Sequence, residues 1–277
     1  MSILYAVLDT LLPFEWASYA FMKNALLAML LITPLFGVLG TMAVDNKMAF
    51  FSDALGHSAL TGIAIGVVLG VSSQQASMLA FGVVWALLIT RIKQRNTASA
   101  DTVISVFSST SIALGLVILA RGGAFAKYSS YLVGDILAVT PQDLLYLAAA
   151  LLGTLAIWAY VFNPLLLTSV NASLASSRGV RERAVEYVFV VLVAVTVMLS
   201  IRWVGMLLIN SLLILPAAAS RNVAKNAAWY IRLSVIFALF AGVAGLIASY
   251  YLNTSAGAAV VLICAAIYFV TLPLKKK

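Results

Sequence analysis

Nine long apolar segments run through this chain, and they restrict its fold more than any other feature of the sequence. Charged residues make up only 9% of the 277 positions, whereas hydrophobic residues make up 64%. A soluble domain uses about 25% charged residues to cover its surface. Because this chain has too few charges to cover a surface in water, we expect its outer surface to face lipid.

Each of these segments is long enough to cross a bilayer as a helix, for which about 20 mostly apolar residues are needed. The sequence therefore predicts an all-α, polytopic membrane protein. Only Arg202 and Trp203 separate the sixth and seventh segments, so we expect eight or nine spans. The segments are Met22–Val44, Met48–Gly70, Gln75–Ile92, Thr102–Ala120, Gln142–Phe162, Val185–Ile201, Val204–Ser220, Tyr230–Leu252 and Ala256–Leu272.

The 17 basic residues lie mainly between these segments, and their distribution predicts the orientation. If the basic tail 273–277 is cytoplasmic, nine spans place 13 of the 17 in the cytoplasm, as the positive-inside rule requires. We therefore expect a multi-pass plasma (inner) membrane protein with a cytoplasmic C-terminus. Because the positive charge reports topology, it does not indicate a nucleic acid partner. The four exterior basic residues are Lys23, Arg121, Lys127 and Arg202.

The chain divides into three parts. Residues 1–21 have apolar residues at helical spacing and aromatic residues typical of an interface, which predicts a short helix at the membrane surface. They lack the basic region of a signal peptide, so we expect them in the mature protein. Residues 22–272 form the transmembrane domain, in which 163–184 is the longest cytoplasmic connection. Residues 273–277 form the basic tail.

Asp53 and His57 are the two ionisable residues of the second span. Four residues apart, they lie on one face of a helix, about 6 Å from each other. A helix that starts at Met48 would put His57 about 13 Å deep, near the middle of the bilayer. A carboxylate and an imidazole at this spacing can bind a divalent metal. His57 is the single histidine of the chain, so a structural pair and a proton relay remain alternatives.

Small residues recur every four positions on the same span, one position away from the line of Asp53, His57 and Thr61. Such a stripe lets another helix approach closely. One face of the span would then pack tightly while the next presents polar groups, as expected beside a translocation path. In the fourth span, 108–111 form a polar belt, although hydroxyls in spans usually bond to their own backbone. The small residues are Ala54, Ser58, Gly62, Gly66 and Gly70.

Motifs for nucleotide hydrolysis and for common hydrolases are missing from the sequence. No Gly-Lys-Ser/Thr is present to hold ATP phosphates, and neither H-E-x-x-H nor G-x-S-x-G occurs. We therefore expect a chain that is not itself an enzyme and has no tightly bound cofactor. If ATP drives it, a separate chain hydrolyses that ATP. An intramembrane enzyme would need more converging polar groups than one Asp–His pair.

The segment SDALGHSALTGIA at 52–64 resembles the membrane subunits of ATP-binding-cassette importers for zinc, manganese and iron. In that family the second span typically reads G-D-A-L-S-H-A-x-x-P-G-x-A. Ser52, Gly56 and Thr61 depart from this pattern, but Asp53 and His57 match it. Four further blocks follow in order, so the resemblance covers about 14–272. They are ADTVISVFSSTSIALGL at 100–116, YLVGDILAVTPQDL at 131–144, SSRGV at 176–180 and VGMLLINSLLILPAAASR at 204–221.

The resemblance implies a permease that imports a divalent metal ion (zinc, manganese or iron) by alternating access. Asp53 and His57 would be metal ligands, and a dimer with itself or a close relative would bring two such pairs together. The implied partners are two cytoplasmic ATPases and an exterior solute-binding protein. The alternative is a proton- or sodium-coupled secondary transporter that uses Asp53 and His57 as a relay. The implied ATPase-coupling residues are Ser176, Ser177, Arg178, Gly179 and Val180.

Overall fold

The structure is a computed structural model, and it describes residues 5, 9–10, 14–95, 98–121, 128 and 134–274. Within these residues every long element is a helix, and nine helices are long and apolar enough to cross a membrane. The all-α prediction is confirmed. The helices are α1 (Ala20–Asp45), α2 (Phe51–Val68), α3 (Gln74–Arg95), α4 (Ala100–Arg121), α5 (Pro141–Val170), α6 (Ala172–Ser177), α7 (Glu182–Val204), α8 (Met206–Val223), α9 (Ala227–Leu252) and α10 (Ala256–Thr271).

The sixth and seventh predicted spans are separate helices, because one glycine interrupts the helical backbone between them. Gly205 has φ +78° and lies between the end of α7 and the start of α8. This left-handed conformation favours glycine, since a side chain there would be strained. The break decides between eight and nine candidate spans in favour of nine for the described part of the chain.

Helix α5 is longer than the sequence predicts. We expected a loop over 163–184, but α5 continues through Pro164 to Val170. The Asn163–Pro164 pair is a common turn signal, yet the leucines that follow are strong helix formers and extend the helix. The connection between α5 and α7 is therefore 171–181, and it contains the short helix α6.

The chain forms two compact units. Unit 1 comprises residues 1–41, 134–151 and 203–277, and unit 2 comprises 42–133 and 152–202. In unit 1, α1 packs against α8 and α9 through glycines. A Cβ atom at Gly40 would lie 1.9 Å from the carbonyl oxygen of Leu213, and one at Gly37 would lie 3.0 Å from the Cα atom of Val235. Backbones approach this closely only where side chains are small.

Unit 2 contains the predicted stripe of small residues, which holds α2 against α3. A Cβ atom at Gly62 would lie 2.8 Å from the Cα atom of Met78, and one at Gly66 would lie 2.2 Å from the hydroxyl of Ser77. At these positions the predicted close approach is confirmed. It is wrong at Gly70, which has φ +68° beyond the end of α2 and has open space around it. Gly70 ends the helix instead of packing it.

Two predictions on the chain termini lie largely outside the described residues. Of the expected interfacial helix over 1–21, the structure describes 5, 9–10 and 14–21. Here Glu15–Ser18 form one 3-10 turn with Trp16 and Ala17 buried. Residues 275–277 of the basic tail lie outside the described part, so the interfacial helix and the tail stay predictions.

Glycine-to-alanine substitutions in α2 and in α5 should affect stability differently, because only the glycine in α2 is closely packed. Gly62→Ala should lower the free energy of unfolding by about 1–3 kcal/mol, because its methyl group meets the α3 backbone. Gly153→Ala in α5 should leave stability unchanged or raise it by up to about 1 kcal/mol, because nothing lies within 4 Å of its Cβ position. Unfolding of the purified full chain in detergent, followed by tryptophan fluorescence, measures both. Equal stability of the two variants would contradict this account of α2.

Candidate metal-binding site

The candidate site lies near the N-terminal end of α2. The helix begins at Phe51, three residues later than the expected Met48, so Asp53 lies in the first helical turn. The partial positive charge of a helix N-terminus favours a carboxylate there. His57 lies about 9 Å along the axis from Phe51, at 1.5 Å per residue. The pair is therefore closer to the end of its helix than the expected depth of about 13 Å implied.

The structure brings Asp53 and His57 together on one face of α2. The imidazole Nε2 atom lies 3.6 Å from the carboxylate Oδ1 atom. Neither side chain is closed off within the chain, since that of His57 is 21% exposed and that of Asp53 is 39% exposed. The pair is thus accessible at the surface of this chain. Its two donor atoms are close enough to bind one ion together.

Helix α4 supplies the polar neighbour of this pair. The hydroxyl of Ser108 donates to Oδ2 of Asp53 at 3.4 Å, so the two carboxylate oxygens face different partners. Further along, the hydroxyl of Thr61 donates to the carbonyl oxygen of Ser111 at 2.5 Å. Two members of the predicted polar belt therefore contact α2. The other two members, Ser109 and Thr110, are exposed.

The pair offers one carboxylate and one imidazole, which is an incomplete metal shell. Among the residues that the structure describes, no group of three or more His, Cys, Asp or Glu side chains could hold a metal ion. A tetrahedral zinc ion takes four donors. Water or a second chain would have to provide the remaining donors.

The predicted coupling segment 176–180 begins in α6, a six-residue helix whose start is well defined. The side chain of Asn171 accepts a hydrogen bond from the backbone N–H of Leu174 at 3.0 Å. This is the N-cap interaction that satisfies a free backbone donor of the first turn. Asn171 thus defines the start of α6, immediately after α5 ends at Val170.

The end of α6 is equally well defined, and Gly179 is the residue that defines it. Gly179 has φ +77°. Its N–H donates to the carbonyl of Ser176, and the N–H of Val180 donates to the carbonyl of Ala175, each at 3.0 Å. These two bonds form a Schellman motif, which reverses the chain at a helix C-terminus. Ser176, Ser177, Arg178 and Gly179 are exposed and Val180 is half-buried.

Unit 2 also contains a charged cluster that was not predicted from the sequence. The ammonium group of Lys93 forms an ion pair with Glu186, and the side-chain amide of Gln94 donates to Oε2 of Glu186 at 2.6 Å. The cluster ties the last turn of α3 to the start of α7. Glu186 lies 92 residues from Gln94, so local spacing could not reveal the contact. A carboxylate inside a predicted span was the available signal, as it was for Asp53.

The nine apolar helices of the described residues define the class of the protein as a multi-pass membrane protein. The model of the ABC 3 transport family matches residues 18–275. The chain belongs to this family. It is therefore an ABC transporter permease, a transport subunit without catalytic machinery. The family assignment confirms the importer permease and gives no support to the secondary transporter.

Individual relatives are similar in sequence to this chain over nearly their whole length. The chain is 32% identical to the high-affinity zinc uptake system membrane protein ZnuB of Haemophilus influenzae over 89% of this chain and 94% of that protein. It is 30% identical to the manganese import system permease protein ScaB of Streptococcus parasanguinis, over 91% and 90% respectively. The solved structure of PsaBC from Streptococcus pneumoniae in complex with Fab matches with a TM-score of 0.78 and 28% identity, covering 98% of this chain and 95% of that chain.

Proposed function

We propose that this chain is the permease subunit of an ATP-driven importer that carries a divalent transition metal, with Asp53 and His57 as ligands during passage. The observation that supports this most directly is the geometry of the pair. Its Oδ1 and Nε2 atoms lie 3.6 Å apart on one face of α2, and both side chains are accessible. Relatives named for zinc uptake and for manganese import make these two ions the first candidates. Iron, which the sequence resemblance implies, is a third.

A second permease chain would complete the metal shell. Two copies related by a twofold axis, or one copy with a close relative, would offer two carboxylates and two imidazoles. Four such donors suit zinc, and manganese or iron would add water. Both groups bind metal only when deprotonated, so metal binding and proton binding compete at this site.

The driving force comes from partner chains in this proposal. The sequence has no phosphate-binding loop for ATP, so a separate cytoplasmic ATPase would dock on residues 176–180. The predicted orientation, with 13 of 17 basic residues in the cytoplasm, would put this segment on the ATPase side. An exterior solute-binding protein would deliver the ion to the opposite side. Movement of α6 with the ATPase would then open the site alternately to each side.

The proposal predicts that uptake depends on both ligands. Asp53→Ala and His57→Ala should each lower accumulation of one metal by about tenfold or more, because each removes one of few donors. The matched control is Asp101→Ala, which removes an exposed carboxylate from the first turn of α4. Elemental analysis of cells that express the whole system in limiting zinc, manganese or iron gives the result.

The same experiment can refute the assignment. Equal membrane levels of all variants must be shown first by immunoblot. Unchanged accumulation of all three metals in both ligand variants would then make Asp53 and His57 structural residues. Loss of a single metal in both variants would identify the cargo as well as the ligands.

The shape of the coupling segment predicts that backbone conformation at Gly179 matters. Gly179→Val should uncouple ATP hydrolysis from metal uptake, because a β-branched residue resists a positive φ. Gly179→Asn should retain coupling, because asparagine tolerates this conformation. The space around the Cβ position is open, so neither side chain clashes. ATP hydrolysis and uptake by the reconstituted complex measure the effect, and full coupling with valine would exclude this role for the Schellman motif.

A further inference from the structure

An apolar groove runs between α5 and α7 on the surface of unit 2. Its volume is about 490 Å³, and Ile157, Tyr160 and Pro164 of α5 line it opposite Ala184 and Val188 of α7. The lining contains no charged side chain. Tyr160 is 86% exposed, and Ile157 and Val188 are 45% and 44% exposed. Within this chain, nothing among the described residues covers the groove.

The groove is as long as one leaflet of a bilayer. A second region of about 320 Å³ continues it along α7 to Val191 and Val195 and shares Ile157 and Val188 with the first. From Ala184 to Val195 the axial distance is about 16 Å at 1.5 Å per residue. Half of a hydrocarbon core about 30 Å thick is about 15 Å. The groove therefore has the length and the polarity of a site for one acyl chain.

Two arginines stand at the end of the groove where α7 begins. The carbonyl of Arg181 accepts a hydrogen bond from the N–H of Val185 at 3.1 Å, so Arg181 directly precedes the first turn of α7. By helical register it lies one turn before Ala184, on the side that lines the groove. Arg183 follows within the first turn, about 100° around the helix from Ala184 and therefore beside the groove, and both arginines are exposed.

These arginines keep their charge available for an anion. Among the residues that the structure describes, neither guanidinium group forms an ion pair. Glu186 lies nearby on α7, but Lys93 and Gln94 already bind it. Glu182 is the remaining acidic neighbour in the first turn. The partial positive charge of the helix N-terminus adds to that of the two arginines.

We propose that the groove binds an anionic phospholipid, with one acyl chain between α5 and α7 and the phosphate at Arg181 and Arg183. Basic groups at the cytoplasmic end of an interhelical pocket recognise anionic head groups, which are abundant in the cytoplasmic leaflet. The predicted orientation puts this end of α7 in that leaflet. Because Arg181 adjoins the coupling segment 176–180, the lipid would stabilise the connection between α6 and α7. This binding is independent of which ion the permease carries.

Native mass spectrometry of the purified full chain, titrated with phosphatidylglycerol or with phosphatidylcholine of the same acyl chains, tests the proposal. The chain should prefer phosphatidylglycerol. The double variant Arg181→Gln/Arg183→Gln should bind it about 30-fold more weakly, at about fivefold per arginine. The matched control is Arg91→Gln/Arg95→Gln, which removes two exposed arginines near the C-terminus of α3 and should bind like wild type.

A second variant tests the groove itself. Ala184→Trp should fill the space for the acyl chain and weaken binding of both lipids while leaving the two arginines in place. Equal binding of the two lipids, or equal loss in the Arg181/Arg183 and Arg91/Arg95 variants, would overturn the proposal in favour of unspecific lipid contact. A disulfide between two copies of an Ile157→Cys variant in the assembled complex would also overturn it, because a second chain would then cover the groove.

Discussion

Hydrocarbon cannot form hydrogen bonds, so a chain inside it must satisfy its backbone polar groups within its own helices. This constraint accounts for the nine apolar helices of the described residues and for the way they pack. Lipid is as apolar as leucine, so helices associate through close contact of small residues. Gly62 and Gly66 provide that contact between α2 and α3. The packed face of α2 fixes the direction of its polar face.

Because of the same constraint, each ionisable residue in the apolar helices is expected to have either a partner or a function. Lys93 and Glu186 neutralise each other and join α3 to α7. Asp53 instead faces an imidazole and a serine hydroxyl, and both members of its pair are accessible. The ammonium group of Lys93 already neutralises Glu186, whereas a carboxylate beside an imidazole offers two donor atoms to a cation. This difference separates the structural charges of unit 2 from the charges that we assign to transport.

Features that depend on local composition could be predicted from the sequence. The spans followed from the length of apolar segments, and the position of Asp53 and His57 on one face followed from helical geometry. The start of α2 at Phe51 and the continuation of α5 past Pro164 could not, because helix ends depend on packing as well as on turn signals. The contact of Glu186 with Lys93 depends on tertiary structure, so the sequence can mark Glu186 as a carboxylate inside a span but cannot identify its partner.

The most direct test of the account is equilibrium binding of zinc and manganese to the purified permease assembly. Metal bound to the protein would be measured after dialysis against buffered free metal, for wild type, Asp53→Ala, His57→Ala and Asp101→Ala. We predict one ion per two permease chains in wild type and in Asp101→Ala, and loss of that ion in the other two variants. Full binding in both Asp53→Ala and His57→Ala would contradict the assignment of these residues as metal ligands.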